Sequence, residues 1–151
     1  MFYEEVFRKL NQKKVRYLVI GGIAIVLHGI VRLTVDLDLF VGFSKKNLLK
    51  FIQALTELGY RSRLPVREGD FANPIKREEW RREKGMKVFS FFHPIKHENR
   101  IDVFVYEPIK FKIAYRERKT VNAKGIRIPV ISIKHLKRIK KMTGRVQDLD
   151  D

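Results

Sequence analysis

Two aspartates one residue apart, Asp36 and Asp38, stand at the start of an otherwise apolar run, Val35-Asp36-Leu37-Asp38-Leu39-Phe40-Val41. Successive side chains of a strand point to opposite faces, so the two carboxylates project from one face and Leu37 from the other. Adjacent carboxylates repel. A divalent cation between them makes the arrangement favourable, and oxygen-only ligands suit Mg²⁺ or Mn²⁺ better than zinc. A further acid, Asp102, lies inside a second apolar run, Ile101-Asp102-Val103-Phe104-Val105-Tyr106. A carboxylate buried there is costly unless a cation, or an arginine such as Arg100 or Arg116, answers it. Upstream, Gly21-Gly22 follows the apolar run Tyr17-Leu18-Val19-Ile20, which places the glycine pair at a strand-to-helix turn. Such a turn can bind an anion. Glycine lets the backbone approach a ligand, and the unpaired N–H groups of the following helix point at it.

The order of these parts, an apolar strand, Gly21-Gly22, one helix length, then Arg32-x-Thr34-x-Asp36-x-Asp38, resembles the DNA polymerase β-like nucleotidyltransferase superfamily, especially its small stand-alone members. The tail from Lys140-Lys141 through Gly144-Arg145 to Asp148 and Asp151 is similar to the Lys-then-Gly-Arg-x-x-Asp-x-x-Asp ending of many of these relatives. The resemblance covers nearly the whole chain. It implies an α/β (α+β) nucleotidyltransferase fold, a mixed β-sheet with helices packed against it, forming one domain over residues 1–151. It implies that Asp36, Asp38 and Asp102 are the catalytic acids and metal ligands, holding Mg²⁺ (or Mn²⁺) as a pair of ions about 4 Å apart in the active complex. Gly21 and Gly22, with Arg32 and Thr34, would bind the nucleotide, and Lys140 and Arg145 would contact phosphate or acceptor. Arg32 either neutralises triphosphate charge or pairs with a nearby acid. The implied reaction moves a nucleoside monophosphate from an NTP, ATP first, to an acceptor, releasing pyrophosphate. The acceptor stays open among a small molecule, a protein and an RNA. The alternative is a toxin–antitoxin-type or RNA-binding protein that uses the same fold to grip a protein partner or nucleic acid with little or no catalysis.

Charge supports a polyanionic ligand. The chain carries 33 Lys and Arg against 17 Asp and Glu, a net +16, and a field of that sign concentrates nucleotides and nucleic acids. A heat-adapted, highly charged surface would also raise the number of charges, but it would tolerate a balance of signs. There is no cysteine, so no disulfide, thiol chemistry or cysteine–zinc site arises. His93 and His97 stand four apart, but Pro94 argues against the helix that would place them on one face. No apolar run approaches the roughly 20 residues of a membrane span, and the first residues lack a secretory design. A cytoplasmic chain with no membrane partner is expected.

The elements that must position the acids follow from periodicity and punctuation. Val6, Phe7 and Leu10 give an amphipathic helix over residues 4–13. The strand 17–20 and a helix from 23 to 27, apolar almost all round and so expected to be buried, carry the glycine turn between them. His28 reads as a packed or capping residue at that helix end. Ser44 is an N-cap for a helix over 45–58 with Leu48, Leu49, Ile52, Leu55 and Leu58 toward the core. Residues 61–87 lose periodicity, with a short helix possible over 78–84. Lying between the second and third acids, this insertion is expected to overhang the site, with Trp80 packing beneath it rather than stacking on a base. Strands over 87–92 and 101–106 would bring Asp102 into the sheet of the acid pair. A hairpin turns near Lys124-Gly125. Ser132 caps a last helix that divides into a buried side, carrying Ile133, Leu136 and Ile139, and a basic side.

Overall fold

The computed structural model describes residues 3–30, 36–64 and 67–143. Helix α1 (Glu4–Gln12) buries Val6, Phe7 and Leu10 on one stripe. Strand β1 (Tyr17–Ile20) runs into α2 (Gly21–Leu27), and β2 (Leu37–Val41) is followed by α3 (Lys45–Glu57). Ser44 Oγ accepts the Asn47 N–H at 3.2 Å and starts α3 where the sequence places it. A 3₁₀ turn (Glu68–Ala72) leads into α4 (Pro74–Lys84), then β3 (Val88–Phe92) and β4 (Arg100–Phe104). Helix α5 (Phe111–Arg116), the hairpin β5 (Lys119–Ala123) and β6 (Ile126–Val130), and α6 (Ile133–Thr143) complete the described chain. The hairpin turns at Lys124-Gly125, whose φ angles of 50° and 75° match the right-handed twist of its strands.

These strands form one six-stranded mixed sheet in the order β3-β4-β2-β1-β6-β5. Strands β2 and β4 are parallel neighbours, as are β1 and β6, while β1–β2, β3–β4 and β5–β6 are antiparallel. This is the expected α/β architecture. Among the described residues no helix is long and apolar enough to cross a membrane.

Strand alternation divides the sheet into two unlike faces. Tyr17, Val19, Leu39, Val103, Phe89 and Phe91 share one face through the register of β1, β2, β4 and β3. There Phe7 stacks on Tyr17, Phe51 meets Phe91, and Phe71 and Trp80 cover Phe89. Helices α1, α3 and α4 and the 3₁₀ turn therefore lie on that side. Ile20, Asp38, Asp102 and Ser90 occupy the other face. On it, Phe40 packs edge-on against Phe104 and against Phe111 of α5.

Several expectations are corrected. The insertion holds a longer helix than 78–84 because Asn73 caps it, Oδ1 accepting the Ile75 N–H at 2.9 Å, and Pro74 occupies its first turn. It also packs on the face opposite the acids rather than over them. Helix α2 starts at Gly21, two residues early, and buries Ala24 and Ile25 while Val26 is exposed. In α3 the buried positions include Phe51 and Ala54, and Leu49 faces solvent. In α6 the enclosed residues are His135, Leu136, Ile139 and Lys140, whereas Ile133 and Met142 are exposed.

Candidate active site

The register of β2 and β4 sets Asp38 directly opposite Asp102. Adjacent strands lie about 4.8 Å apart, and paired residues point the same way, so the two carboxylates are lateral neighbours. Strand β1 sits on the other side of β2, with Ile20 opposite Asp38. Gly21 comes next, and its φ of 68° is a conformation that L side chains rarely adopt. A Cβ built at Gly21 would fall 2.2 Å from Asp38 Oδ2. The missing side chain is thus the space the carboxylate occupies. The glycine pair acts here mainly through that room, since α2 has only 7 residues and a correspondingly short column of aligned peptide dipoles.

Asp102 is answered by an arginine, and the arginine is Arg100. Its Nε donates to Asp102 Oδ1 at 2.9 Å, and the Ser90 hydroxyl donates to the same oxygen at 2.6 Å. Arg100 Nη2 also reaches Ser90 Oγ at 3.4 Å. The bond to Asp102 holds the Arg100 guanidinium pKa above its ordinary value against the opposing effect of burial, and the charges of Asp102, Asp36 and Asp38 add to the rise. Arg100 therefore sits in the field of all three acids. Tyr3 braces this strand: its hydroxyl donates to the Arg100 carbonyl and accepts the Arg100 N–H, each at 3.1 Å. Burial pushes the Tyr3 phenol up to about 12, with smaller contributions from Tyr60, Asp36 and Asp38.

Asp36 is exposed immediately before β2. Arg32, Thr34 and Arg145 lie outside the described residues. Lys140 is on the enclosed side of α6, apart from the exposed Lys134, Lys137, Arg138 and Lys141. His28 caps α2 and its Nε2 lies 2.8 Å from the Ile131 carbonyl, a packing role. Sequence reasoning missed Tyr3 and Ser90. The signal for Ser90 was its alternation within Val88-Phe89-Ser90-Phe91-Phe92, a single hydroxyl on the face that carries Asp102.

The donor set on this face is oxygen-only, which fits Mg²⁺ or Mn²⁺. As the side chains stand, no three His, Cys, Asp or Glu among the described residues are gathered into a metal site. One oxygen of Asp102 is already taken by Arg100 and Ser90.

A family model described as the nucleotidyl transferase AbiEii toxin of a type IV toxin–antitoxin system matches residues 7–136. The chain belongs to the AbiEii family. The AbiEii match takes in both acid-bearing strands and the glycine turn. Two solved structures share the fold. A provisionally named nucleotidyltransferase from Thermotoga maritima superposes with a TM-score of 0.61 at 14% identity, covering 97% of this chain and 84% of its own. A lincosamide antibiotic adenylyltransferase bound to lincomycin gives 0.56 at 16% identity, covering 98% and 96%. Among curated protein sequences there is no significant match. The AbiEii chain is thus a nucleotidyltransferase by family and by fold.

Proposed function

We propose that the chain transfers a nucleoside monophosphate from an NTP, ATP first, to an acceptor nucleophile, with release of pyrophosphate. The observation that supports this best is the pairing of Asp38 with Asp102 on adjacent parallel strands, with Gly21 packed against Asp38. Asp36, Asp38 and Asp102 would hold the divalent ions, which when bound would neutralise the triphosphate and orient the attacking and leaving oxygens. The chain's own part is positioning. Gly21 leaves room for the Asp38 carboxylate, and the backbone N–H groups of Gly21 and Gly22 can donate to a phosphate beside the acids. Ser90 and Arg100 fix Asp102 through Oδ1, so Oδ2 is the oxygen to take the proton from the acceptor's nucleophile. Lys140, Arg145, Arg32 and Thr34 remain candidates for phosphate or acceptor contacts.

The family's description as a toxin supports a second layer to this reading, in which the same transfer inactivates a cellular component and so arrests growth. Purified chain incubated with α-labelled NTPs, Mg²⁺ and a total cell extract should label a discrete acceptor. Labelling should vanish with EDTA and fall by at least about 10²-fold in Asp38→Asn, the loss typical when transition-state charge stabilisation is removed. If neither labelling nor Mg²⁺-dependent NTP binding occurs, transfer is ruled out. Growth arrest that persists in Asp38→Asn would then favour a partner-gripping protein without catalysis.

A further inference from the structure

The cation excess draws attention to a second place on the molecule. Where α1 turns into β1, that turn, the end of α5 and the β5–β6 hairpin enclose an open groove of about 450 Å³. Lys14, Arg16, Arg118 and Arg127 line it together with Asn11 and Tyr115, and among the described residues no Asp or Glu lines its wall. All four cations are exposed. Several nearby cations are matched by acids: Lys9 and Lys13 by Glu57, Arg8 and Lys124 by Glu4, Lys134 by Glu117. Within the groove four like charges converge on one space, and none of the four has an acid partner among the described residues. Lys14 even holds a left-handed backbone, φ 57°, at a helix end where glycine is the usual occupant.

The groove lies at the Tyr17 end of β1, whereas Gly21 and the acid pair lie at the Ile20 end, roughly 10 Å away at about 3.3 Å per residue. None of the candidate catalytic residues lines it. It is a separate site, and its argument does not depend on transfer chemistry.

The kind of anion follows from what the groove withholds. Tyr115 is its aromatic side chain apart from the buried Tyr17, and the Tyr115 ring is already engaged: Phe111 stacks on it at 5.2 Å, and the Arg118 guanidinium lies 4.0 Å from the ring centre. A single strand held by base stacking needs a free aromatic face, and an acidic peptide needs an apolar anchor for its buried centre. The groove offers charge without either. We propose that it docks the phosphodiester backbone of a nucleic-acid duplex, read by its regularly spaced phosphates and not by its bases.

The test is fluorescence anisotropy of a short labelled duplex, as RNA and as DNA, across a salt series without NTP or divalent ion. Replacing Lys14, Arg16, Arg118 and Arg127 together by Ala should flatten the log–log salt dependence by about 3 to 4, close to one unit per lost phosphate contact. A chain with Lys45, Lys46, Arg82 and Lys84 replaced instead loses the same charge and should keep the slope. Arg→Lys at 16, 118 and 127 should retain binding, which separates charge from folding, and Asp38→Asn should bind like the parent. Equal losses in both Ala sets would mean a diffuse field without a docking groove and would overturn the proposal. So would tighter binding of polyglutamate than of duplex.

Discussion

Gly21 and Asp38 share a contact too close for any side chain. Gly21→Ala must accept both a left-handed φ and a carbon 2.2 Å from Asp38 Oδ2. The expected cost is about 2–4 kcal/mol in urea unfolding, with NTP binding weakened as the carboxylate is displaced. Arg100 gives a prediction of the opposite sign. It is nearly half exposed, so solvent screens its pair with Asp102, and Arg100→Met should cost only about 1 kcal/mol. It also removes the cation that competes for Asp102, so Mn²⁺ measured by electron paramagnetic resonance should bind severalfold more tightly. Unchanged or weaker Mn²⁺ binding would show that Arg100 does not compete. The Tyr3 phenol is raised from 10.0 to about 12. Below pH 10 its stabilising effect is fully present, and it is lost as pH climbs toward 12, because the unfolded chain releases the proton first. The gap in unfolding free energy between the native chain and Tyr3→Phe should therefore narrow across that window, and a gap independent of pH would contradict the assignment. Asp36, Asp38 and Asp102 could be picked out from sequence because a charge inside an apolar run demands an explanation. Tyr3 could not, because nothing in Phe2-Tyr3-Glu4 signals that its hydroxyl reaches Arg100, 97 residues away.

At the level of elements, the insertion between β2 and β3 shows where periodicity fails as a guide. Helix α4 is almost wholly charged, with Arg77 and Trp80 its buried residues. Arg77 supports the 3₁₀ turn by donating from Nη1 to the Phe71 carbonyl at 2.6 Å while lying over the Phe43 ring. A stripe of one arginine and one tryptophan carries little hydrophobic signal, and a proline such as Pro74 fits the first turn of a helix as well as a break in one. The bounds of α1 and α3 were legible almost to the residue, as was the β5–β6 hairpin, although the buried stripe of α3 takes in Phe51 and Ala54 and leaves Leu49 to solvent. Trp80 stacks on Phe89 at 5.2 Å and is the chain's sole tryptophan. Trp80→Ala should cost about 3–5 kcal/mol by leaving a cavity over the sheet. The acid face lies beyond that layer, so NTP affinity of the folded fraction should be unchanged. A loss of affinity matching the loss of stability would mean that α4 reaches the site after all.

For the molecule as a whole, +16 on 151 residues means that folding gathers like charges. Raising salt from about 10 mM to about 150 mM shortens the screening length from roughly 30 Å to 8 Å. The urea midpoint should rise over that range, and a falling midpoint would indicate that local ion pairs outweigh the repulsion. The sheet order carries one more consequence. Strand β4 enters beside β2 only after the insertion and β3 have been made, so Asp102 meets Asp38 from 64 positions further along the chain. A ribosome-bound chain that has emerged only as far as Lys87 already owns its glycine turn and its first acid pair, yet it lacks the opposing carboxylate. The two facing carboxylates therefore come together only when β4 joins the sheet beside β2.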